Sequence, residues 1–370
     1  MAELYIGLMS GTSLDAIDAV LVDFTNDTPQ LLSAHSEPLP ATLRKTLLAL
    51  NRPAAGEIAR MAQADVELGK HFAAAVKQLL KLHNVEPADV RAIGSHGQTI
   101  RHNPDADSPY TLQIGDPNTI AELTRITTVA DFRRRDLAAR GQGAPLMPAF
   151  HAAQLRVNDA SRVIVNIGGM ANITLLPANP NKHVTGFDTG PGNVLMDGWY
   201  QRHQKGNFDK GGHWAASGKV DEAFLQRLQR DKFFSLAPPK STGRDHFDMR
   251  WLDRVIKRHG KRLQRKNVQA TLCELTASSI ASAIHEYAAE AEEVIVCGGG
   301  VHNTALMFRL QALLAGKRLL SSEDFDIDPD YMEAIGFAWL ARQTLAGRPG
   351  NLPSVTGASH PVVLGGVYPS

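Results

Sequence analysis

Val163-Ile164-Val165-Asn166-Ile167-Gly168-Gly169-Met170-Ala171-Asn172-Ile173-Thr174-Leu175-Leu176 is the stretch that decides the fold. Branched aliphatic residues on either side of a Gly-Gly pair read as strand, turn, strand. The start of the chain has the same form. Leu4-Tyr5-Ile6-Gly7 and Ala19-Val20-Leu21-Val22-Asp23-Phe24 read as strands, with the small polar run Met9-Ser10-Gly11-Thr12-Ser13-Leu14-Asp15 between them. The residues themselves do not repeat, so the echo is one of structure. It predicts two related α/β domains.

Outward from these hairpins, apolar residues recur at helical spacing over 57–82 (Ile58, Met61, Val66, Leu68, Phe72, Val76, Leu79, Leu80). Residues 90–93 read as a strand ending at Gly94-Ser95-His96-Gly97-Gln98-Thr99. Thr271-Leu272-Cys273-Glu274 has the capping-box pattern and predicts a helix from there to about 289. Residues 294–297 form a strand running into Gly298-Gly299-Gly300. A last helix is expected from Glu333 to about Ala346, with Gly347 as its stop. Residues 348–370, rich in Gly, Pro and Ser, read as an irregular surface tail. The domains are expected at 1–128 with 350–370, and at 129–349, packed around a cleft.

Composition limits the function. A chain of 370 residues suits two domains. With 43% hydrophobic and 21% charged residues it is a folded globular protein. Lys and Arg number 39 against 38 Asp and Glu, so there is no basic footprint for nucleic acid. The run Lys257-Arg258-His259-Gly260-Lys261-Arg262 reads as a solvated helix face. The two cysteines, Cys273 and Cys297, have no metal-ligand spacing and suit a reducing compartment. No apolar run approaches the ~18 residues of a spanning helix. The N-terminus lacks a basic stretch followed by an apolar one. A cytoplasmic protein without membrane or nucleic-acid partners is expected.

Glycine-containing turns at 10–15, 168–172, 188–193 and 298–300 could present backbone N–H groups to phosphate. The standard nucleotide motifs fail. Gly218-Lys219 is followed by Val220 and has no upstream Gly at the Walker A position. Gly298-Gly299-Gly300 continues as Val301-His302-Asn303, without the last Gly of a dinucleotide fingerprint. Paired strand-turn-strand loops instead fit the actin, hexokinase and Hsp70 (ASKHA) type of α/β fold, with a nucleotide cleft between two domains.

Asp188, in Asp188-Thr189-Gly190-Pro191-Gly192-Asn193, reads either as a general base or as an Asx-turn residue serving its own backbone. In Asp131-Phe132-Arg133-Arg134-Arg135-Asp136 an arginine suits a carboxylate or phosphate, while Arg134 and Arg135 read as surface ion pairs. His96 and Gln98 could hydrogen-bond a sugar, and His96 could equally be a satisfied buried histidine. Glu333 either faces the cleft or caps a helix with Asp330. Lys240-Ser241-Thr242-Gly243-Arg244 suits phosphate or solvent.

These segments, with Gly7-Leu8-Met9 leading into the first turn, Gly141-Gln142-Gly143-Ala144-Pro145-Leu146 and the tail Gly350-Asn351-Leu352-Pro353-Ser354-Val355-Thr356-Gly357-Ala358, resemble anhydro-N-acetylmuramic acid kinases in the family's order along nearly the whole chain. The resemblance implies ATP-dependent phosphorylation of 1,6-anhydro-N-acetylmuramic acid with opening of its anhydro bridge. The products would be ADP and N-acetylmuramic acid 6-phosphate, in recycling of the bacterial cell wall. It also implies Mg2+ and a homodimer, with the magnesium ligands unassigned. Residues Gly11, Thr12, Ser13, Leu14, Asp15, Ala16, Ile17 and Asp18 would form the first phosphate loop. Gly168, Gly169, Gly190, Gly298, Gly299 and Gly300 would complete the ATP site. Asp188 would be the catalytic base. His96, Gln98, Asp131, Arg133 and Glu333 would meet the sugar. Two departures stand out: Ala16 and Arg140 occupy positions where the family usually has Gly. An Arg at a position of positive φ would be unfavourable.

Overall fold

The computed structural model describes all residues except Met1, Thr12, Ser13, Asp15 and Asp245. The chain divides into two compact units, 1–154 with 326–370, and 155–325. The first contains β1 (Leu4–Ser10), β2 (Ala16–Asp23), β3 (Gln30–Pro38), β4 (Val90–Ser95), β5 (Gln98–Asn103), β6 (Tyr110–Ile114) and β7 (Thr128–Ala130). The second contains β8 (Arg162–Ile167), β9 (Met170–Leu176), β10 (Thr185–Pro191), β11 (Glu293–Cys297) and β12 (Arg318–Ser321). The tail returns to the first unit as β13 (Gly366–Tyr368).

The main sheets have the orders β13-β7-β4-β1-β2-β3 and β10-β9-β8-β11-β12, and β5 and β6 form a separate hairpin. In the first, β1, β2 and β3 are an antiparallel meander, and β4 and β7 follow β1 in parallel. In the second, β8, β9 and β10 are the meander, and β11 and β12 follow β8 in parallel. One topology is thus built twice, which is the α/β architecture of the actin, hexokinase and Hsp70 type. The hairpins are longer than the sequence suggests, since Met9 and Ser10 still pair with Asp18 and Ile17.

Each sheet is covered by helices over its own core. In the first unit, helix Glu57–His83 buries Leu68, Phe72, Val76 and Leu79 against Ile6, Ile17, Ala19 and Ile93. Its first turns stay out: Ile58 and Val66 are exposed despite their periodic spacing. In the second, helix Arg265–Tyr287 buries Leu275, Ile280 and Ile284 against Val163, Ile173 and Val294. It begins before the expected cap at Thr271, and its N-cap is Gln264. Thr271 is interior to it: its hydroxyl donates to the Asn267 carbonyl at 2.7 Å, one turn back. Glu274 takes a bidentate bond from Arg309 at 2.6 and 3.0 Å. The Thr-x-x-Glu spacing is also one helical turn, so it arises inside a helix as readily as at its start.

The expected domain limits at 128 and 349 fall inside the first unit, which holds 129–154 and 326–349 as well. Helix Met332–Leu345 accounts for this. It lies so close to β1 and β4 that a Cβ on Gly7 would stand 1.8 Å from the Ala334 carbonyl oxygen, and one on Gly94 2.0 Å from that of Phe337. The tail is also less irregular than expected. It carries a short helix, Pro353–Thr356, besides β13, and Asn351, Thr356 and Leu364 are buried. Their burial follows from Asp136, a carboxylate with no solvent exposure. It accepts from Asn351 Nδ2 at 2.6 Å, Thr356 Oγ1 at 2.8 Å and the Gly143 N–H at 2.7 Å. A buried carboxylate needs such donors, and the tail supplies two of them.

The basic run ends helix Met249–His259, with Lys257 and Arg258 in solvent and Gly260 in the left-handed region as its stop. Cys273 and Cys297 are buried and form no disulfide. Among the described residues no helix is long and apolar enough to cross a membrane. Ala16 starts β2 opposite Pro38, where a strand backbone suits it. Arg140 has φ +70°.

Two expectations follow from the backbone. Gly94→Ala drives a methyl into the Phe337 carbonyl, where neither backbone can yield. It should cost more than ~3 kcal/mol, beyond ordinary overpacking, and show as a large fall in the denaturation midpoint or loss of folded protein. Arg140→Gly relieves a left-handed residue worth ~1 kcal/mol but loosens the unfolded chain by a similar amount. Melting should change by no more than about 1 kcal/mol in equivalent stability, and turnover should stay within about threefold.

Candidate active site

In the first unit, β1 ends at Ser10 and β2 begins at Ala16. Of the expected phosphate loop, Thr12, Ser13 and Asp15 lie outside the described residues. Gly11 accepts at its carbonyl from the Leu14 N–H at 3.1 Å, and Leu14 has φ +55° with its side chain buried. Arg44 Nε donates to the Leu14 carbonyl at 3.0 Å, which ties the turn to the neighbouring helix. Ala16, Ile17 and Asp18 are already strand, and Ile17 is core. Asp18 receives the Ser36 hydroxyl at 2.8 Å. Burial raises its pKa, the Ser36 hydroxyl opposes that, and Asp330 adds to it.

Most of the expected sugar residues gather at the ends of β4 and β7. The His96 N–H donates to the Leu8 carbonyl at 3.1 Å, and its ring packs on Phe337 with centroids 4.7 Å apart. His96 Nε2 faces Arg133 Nε at 3.0 Å and Nη2 at 2.9 Å. Arginine can only donate, so Nε2 is the acceptor and the neutral ring carries its proton on Nδ1. Burial, then the Arg133 charge, holds the His96 pKa well below the usual value. Arg133 also donates to the Gly143 carbonyl at 2.9 Å. Burial lowers its pKa to about 10, while the charges of Glu333 and Asp136 pull the other way. His96, Arg133 and Glu333 are thus one electrostatic group. Gln98 is buried beside them and accepts the Ser10 hydroxyl at 2.8 Å. Asp131, with φ +60°, accepts instead from exposed Arg134 at 2.8 Å. The ion-pair reading of Arg134 fits this contact.

Glu333 lies two residues after the helix N-cap. The N-cap is Tyr331 and makes no side-chain cap bond, and the Asp330 N–H is taken by Asp328 at 2.9 Å. Glu333 sits in the first turn of a helix whose position is set by Gly7 and Gly94.

In the second unit, the glycine turns converge at one end of the sheet. The N–H groups of Gly192 and Asn193 donate to the Gly169 and Gly168 carbonyls at 2.9 Å each. A Cβ on Gly192 would stand 2.4 Å from the Gly168 carbonyl oxygen. Cys297 of β11 is level with Asn166 of β8, so Gly298 and Gly300 lie against Ile167 and have no room for a side chain. Gly299 has nothing within 4 Å of a Cβ position, and Gly168 only the Met170 carbonyl oxygen at 3.7 Å. These two leave open space beside packed backbone, the form of a turn that a phosphate can approach.

Asp188 stands on β10 beside these turns. A bulge between Asp188 and Gly190 skips Thr189, which turns inward to bond the Ala171 carbonyl at 3.2 Å. Bulges of this kind re-aim the side chains next to them. The Asp188 carboxylate does not serve its own backbone, as an Asx turn would. Its Oδ2 accepts the Thr242 N–H at 2.8 Å and the Ser241 hydroxyl at 3.1 Å, and the Asp188 N–H donates to the Lys240 carbonyl at 3.1 Å. Burial raises its pKa, and these two donors oppose the rise. Lys240 itself lies over the Phe233 ring at 4.9 Å and bonds the Phe233 carbonyl at 3.4 Å. Sequence reasoning missed the binding of segment 240–242 to Asp188, because Ser241 lies 53 positions after Asp188 and no local pattern joins them. It also missed Asp136, whose only signal was its place in the arginine run.

The chain matches the family model described as anhydro-N-acetylmuramic acid kinase over residues 3–370. An anhydro-N-acetylmuramic acid kinase of Coxiella burnetii is 49% identical over 366 residues, covering 99% of this chain and 97% of the relative. One of Xanthomonas axonopodis pv. citri is 52% identical over 373 residues, covering 100% and 99%. Among solved structures, the activator of the 2-hydroxyisocaproyl-CoA dehydratase from Clostridium difficile is similar at 11% identity and a TM-score of 0.48, covering 91% of this chain and 93% of its own.

Glu333→Gln keeps the shape of the side chain and removes the charge beside Arg133. Turnover should fall about tenfold or more, the worth of one charged contact, while the melting temperature moves by less than about 2 °C. A fall of several degrees with normal turnover would return Glu333 to a purely structural role.

Proposed function

The chain belongs to the anhydro-N-acetylmuramic acid kinase family, and from that premise we propose how its residues phosphorylate anhydro-N-acetylmuramic acid. The activity places the enzyme in recycling of peptidoglycan. In this reading ATP is the donor, the sugar is the 1,6-anhydro form, and the products are ADP and N-acetylmuramic acid 6-phosphate. Water attacks the anomeric carbon, the bond from that carbon to O6 breaks, and O6 bonds to the γ-phosphorus as ADP departs. The charge leaving the ring on O6 is captured as it forms. Asp188 takes the proton from the attacking water.

The observation that carries this reading is the Asp188 carboxylate, anchored by Oδ2 on a bulged strand beside the glycine turns. Burial raises its proton affinity, which suits a base better than a fully solvated carboxylate does. Phosphate contacts are proposed for residues 11–18 and for Gly168, Gly169, Gly190, Gly298, Gly299 and Gly300. The open positions at Gly168 and Gly299 favour them. Gly190 is the weakest of the set, because a Cβ there would meet the Phe234 ring at 2.8 Å, so it faces protein. His96, Gln98, Arg133 and Glu333 are proposed sugar contacts, with Asp131 at their margin.

Mg2+ would enter with ATP and stabilise charge on the transferring phosphoryl group. Such an ion is held largely by phosphate and water with one or two carboxylates. Among the described residues no group of three or more His, Cys, Asp or Glu is placed to hold a metal ion. A homodimer in the cytoplasm completes the reading, on the family resemblance.

Asp188→Asn keeps size and hydrogen bonding but cannot accept the water proton. The rate should fall by about 10²–10⁴ with ATP and sugar still bound. A short reaction in heavy-oxygen water, read by mass spectrometry before the anomeric hydroxyl exchanges, should label that hydroxyl and leave the phosphate ester unlabelled. Label in the ester would mean that ATP is hydrolysed first. Near-normal turnover of the variant would remove Asp188 from the base role.

A further inference from the structure

We propose that Ser241 is a positioning residue for the catalytic base: its hydroxyl, with the Thr242 N–H, holds the Asp188 carboxylate by Oδ2 and leaves Oδ1 to take the proton from water. The proposal rests on the reading of Asp188 as the base. Its ground is the geometry of one short segment. The Lys240 carbonyl accepts the Asp188 N–H at 3.1 Å, while the next two residues return donors to the same side chain at 3.1 and 2.8 Å. Residues 240–242 therefore grip Asp188 at both backbone and carboxylate. Both donors fall on Oδ2, and no bond to Oδ1 is found among the described residues. One oxygen anchored and one available is the arrangement a carboxylate needs to act on water without turning in its site.

The grip also acts on charge. Burial favours the protonated acid, which is useless as a base, and the Thr242 N–H and Ser241 hydroxyl favour the ionised form. Among the described residues, Lys240 and Arg244 are the charged groups of the segment that holds Asp188. Lys240 of the segment lies over Phe233 and Phe187, 4.9 and 5.9 Å from the ring centroids, and couples to Glu286 of helix Arg265–Tyr287. Arg244 follows in the same segment. Across the strand Asp188 faces Asn172 of β9, which is uncharged. Ser241 is exposed, so replacing it disturbs little packing. The sign of its effect is fixed: without the hydroxyl, one of two interactions favouring the carboxylate is lost and the base is protonated up to a higher pH.

The test is the pH profile of kcat/KM for Ser241→Ala, Ser241→Thr and Asp188→Asn, each with its melting temperature. In Ser241→Ala the acid limb should move up by about one pH unit, as expected for one hydrogen bond to a charged group. The KM for ATP and the melting temperature should hold. Ser241→Thr, which keeps the hydroxyl, should return the limb to its original place. An unmoved limb in Ser241→Ala overturns the proposal. So does a raised KM for ATP with an unmoved limb, which would assign the serine to phosphate. If Asp188→Asn is crippled while the Ser241→Ala limb stays, only the role of Ser241 fails. If Asp188→Asn turns over normally, the base reading itself fails.

Discussion

The first unit depends on a contact between a helix and two strands that have no side chains in the way. Gly7 of β1 and Gly94 of β4 let the backbone of helix Met332–Leu345 descend onto the sheet, within 2.0 Å of where a Cβ would stand. Any other residue at either point would lift the helix. Its height sets what its first turns reach. Phe337 lies under the His96 ring, and Glu333 comes within electrostatic range of Arg133. The helix also brings the C-terminal part of the chain back to the unit where the chain begins. β13 then extends the sheet, and Asn351 and Thr356 satisfy the buried Asp136.

The second unit uses the same sheet topology to hold different chemistry. In the first, the strand ends carry a neutral histidine, a half-buried arginine and a carboxylate, a set suited to a polar sugar. In the second, they carry packed glycine turns and one buried carboxylate. The crowding of Gly192, Gly298 and Gly300 against neighbouring backbone is structural. The space at Gly168 and Gly299 is what a ligand can use. Glycines that look alike in the sequence thus stand in two kinds of surroundings, crowded and open. Only their surroundings distinguish them.

Much of the architecture could be read directly. Strand-turn-strand segments opening each half announced the duplicated sheets, because apolar alternation and glycine turns are local signals. The helix over 57–83 was legible from its spacing, although Ile58 and Val66 proved exposed. Local signals also misled. Thr271 and Glu274 satisfy a helix-start pattern, yet both are interior, bonded one turn back and to Arg309. The composition of 348–370 suggested an idle tail. Its buried Asn351 and Thr356 are recruited by a carboxylate some 215 residues earlier.

The sequence by itself determined the fold class, the family, and the residue types from which the site is made. These follow from ordered short motifs, and a motif carries its meaning within a few residues. It also marked Arg140 as a residue in an awkward place, which φ +70° explains. The tertiary structure decided which partners each ambiguous residue has. Asp188 could have capped its own turn, but segment 240–242 supplies donors that turn geometry cannot. Glu333 lies in the first turn of its helix and within electrostatic range of Arg133, while Asp328 accepts the Asp330 N–H. His96 could have been a sugar contact or a satisfied buried histidine; burial and then Arg133 lower its pKa, and Arg133 occupies its Nε2. In each case the deciding partner lies elsewhere in the chain or on a competing side chain. Hydrogen bonds and burial act through distance in space, which sequence spacing does not encode.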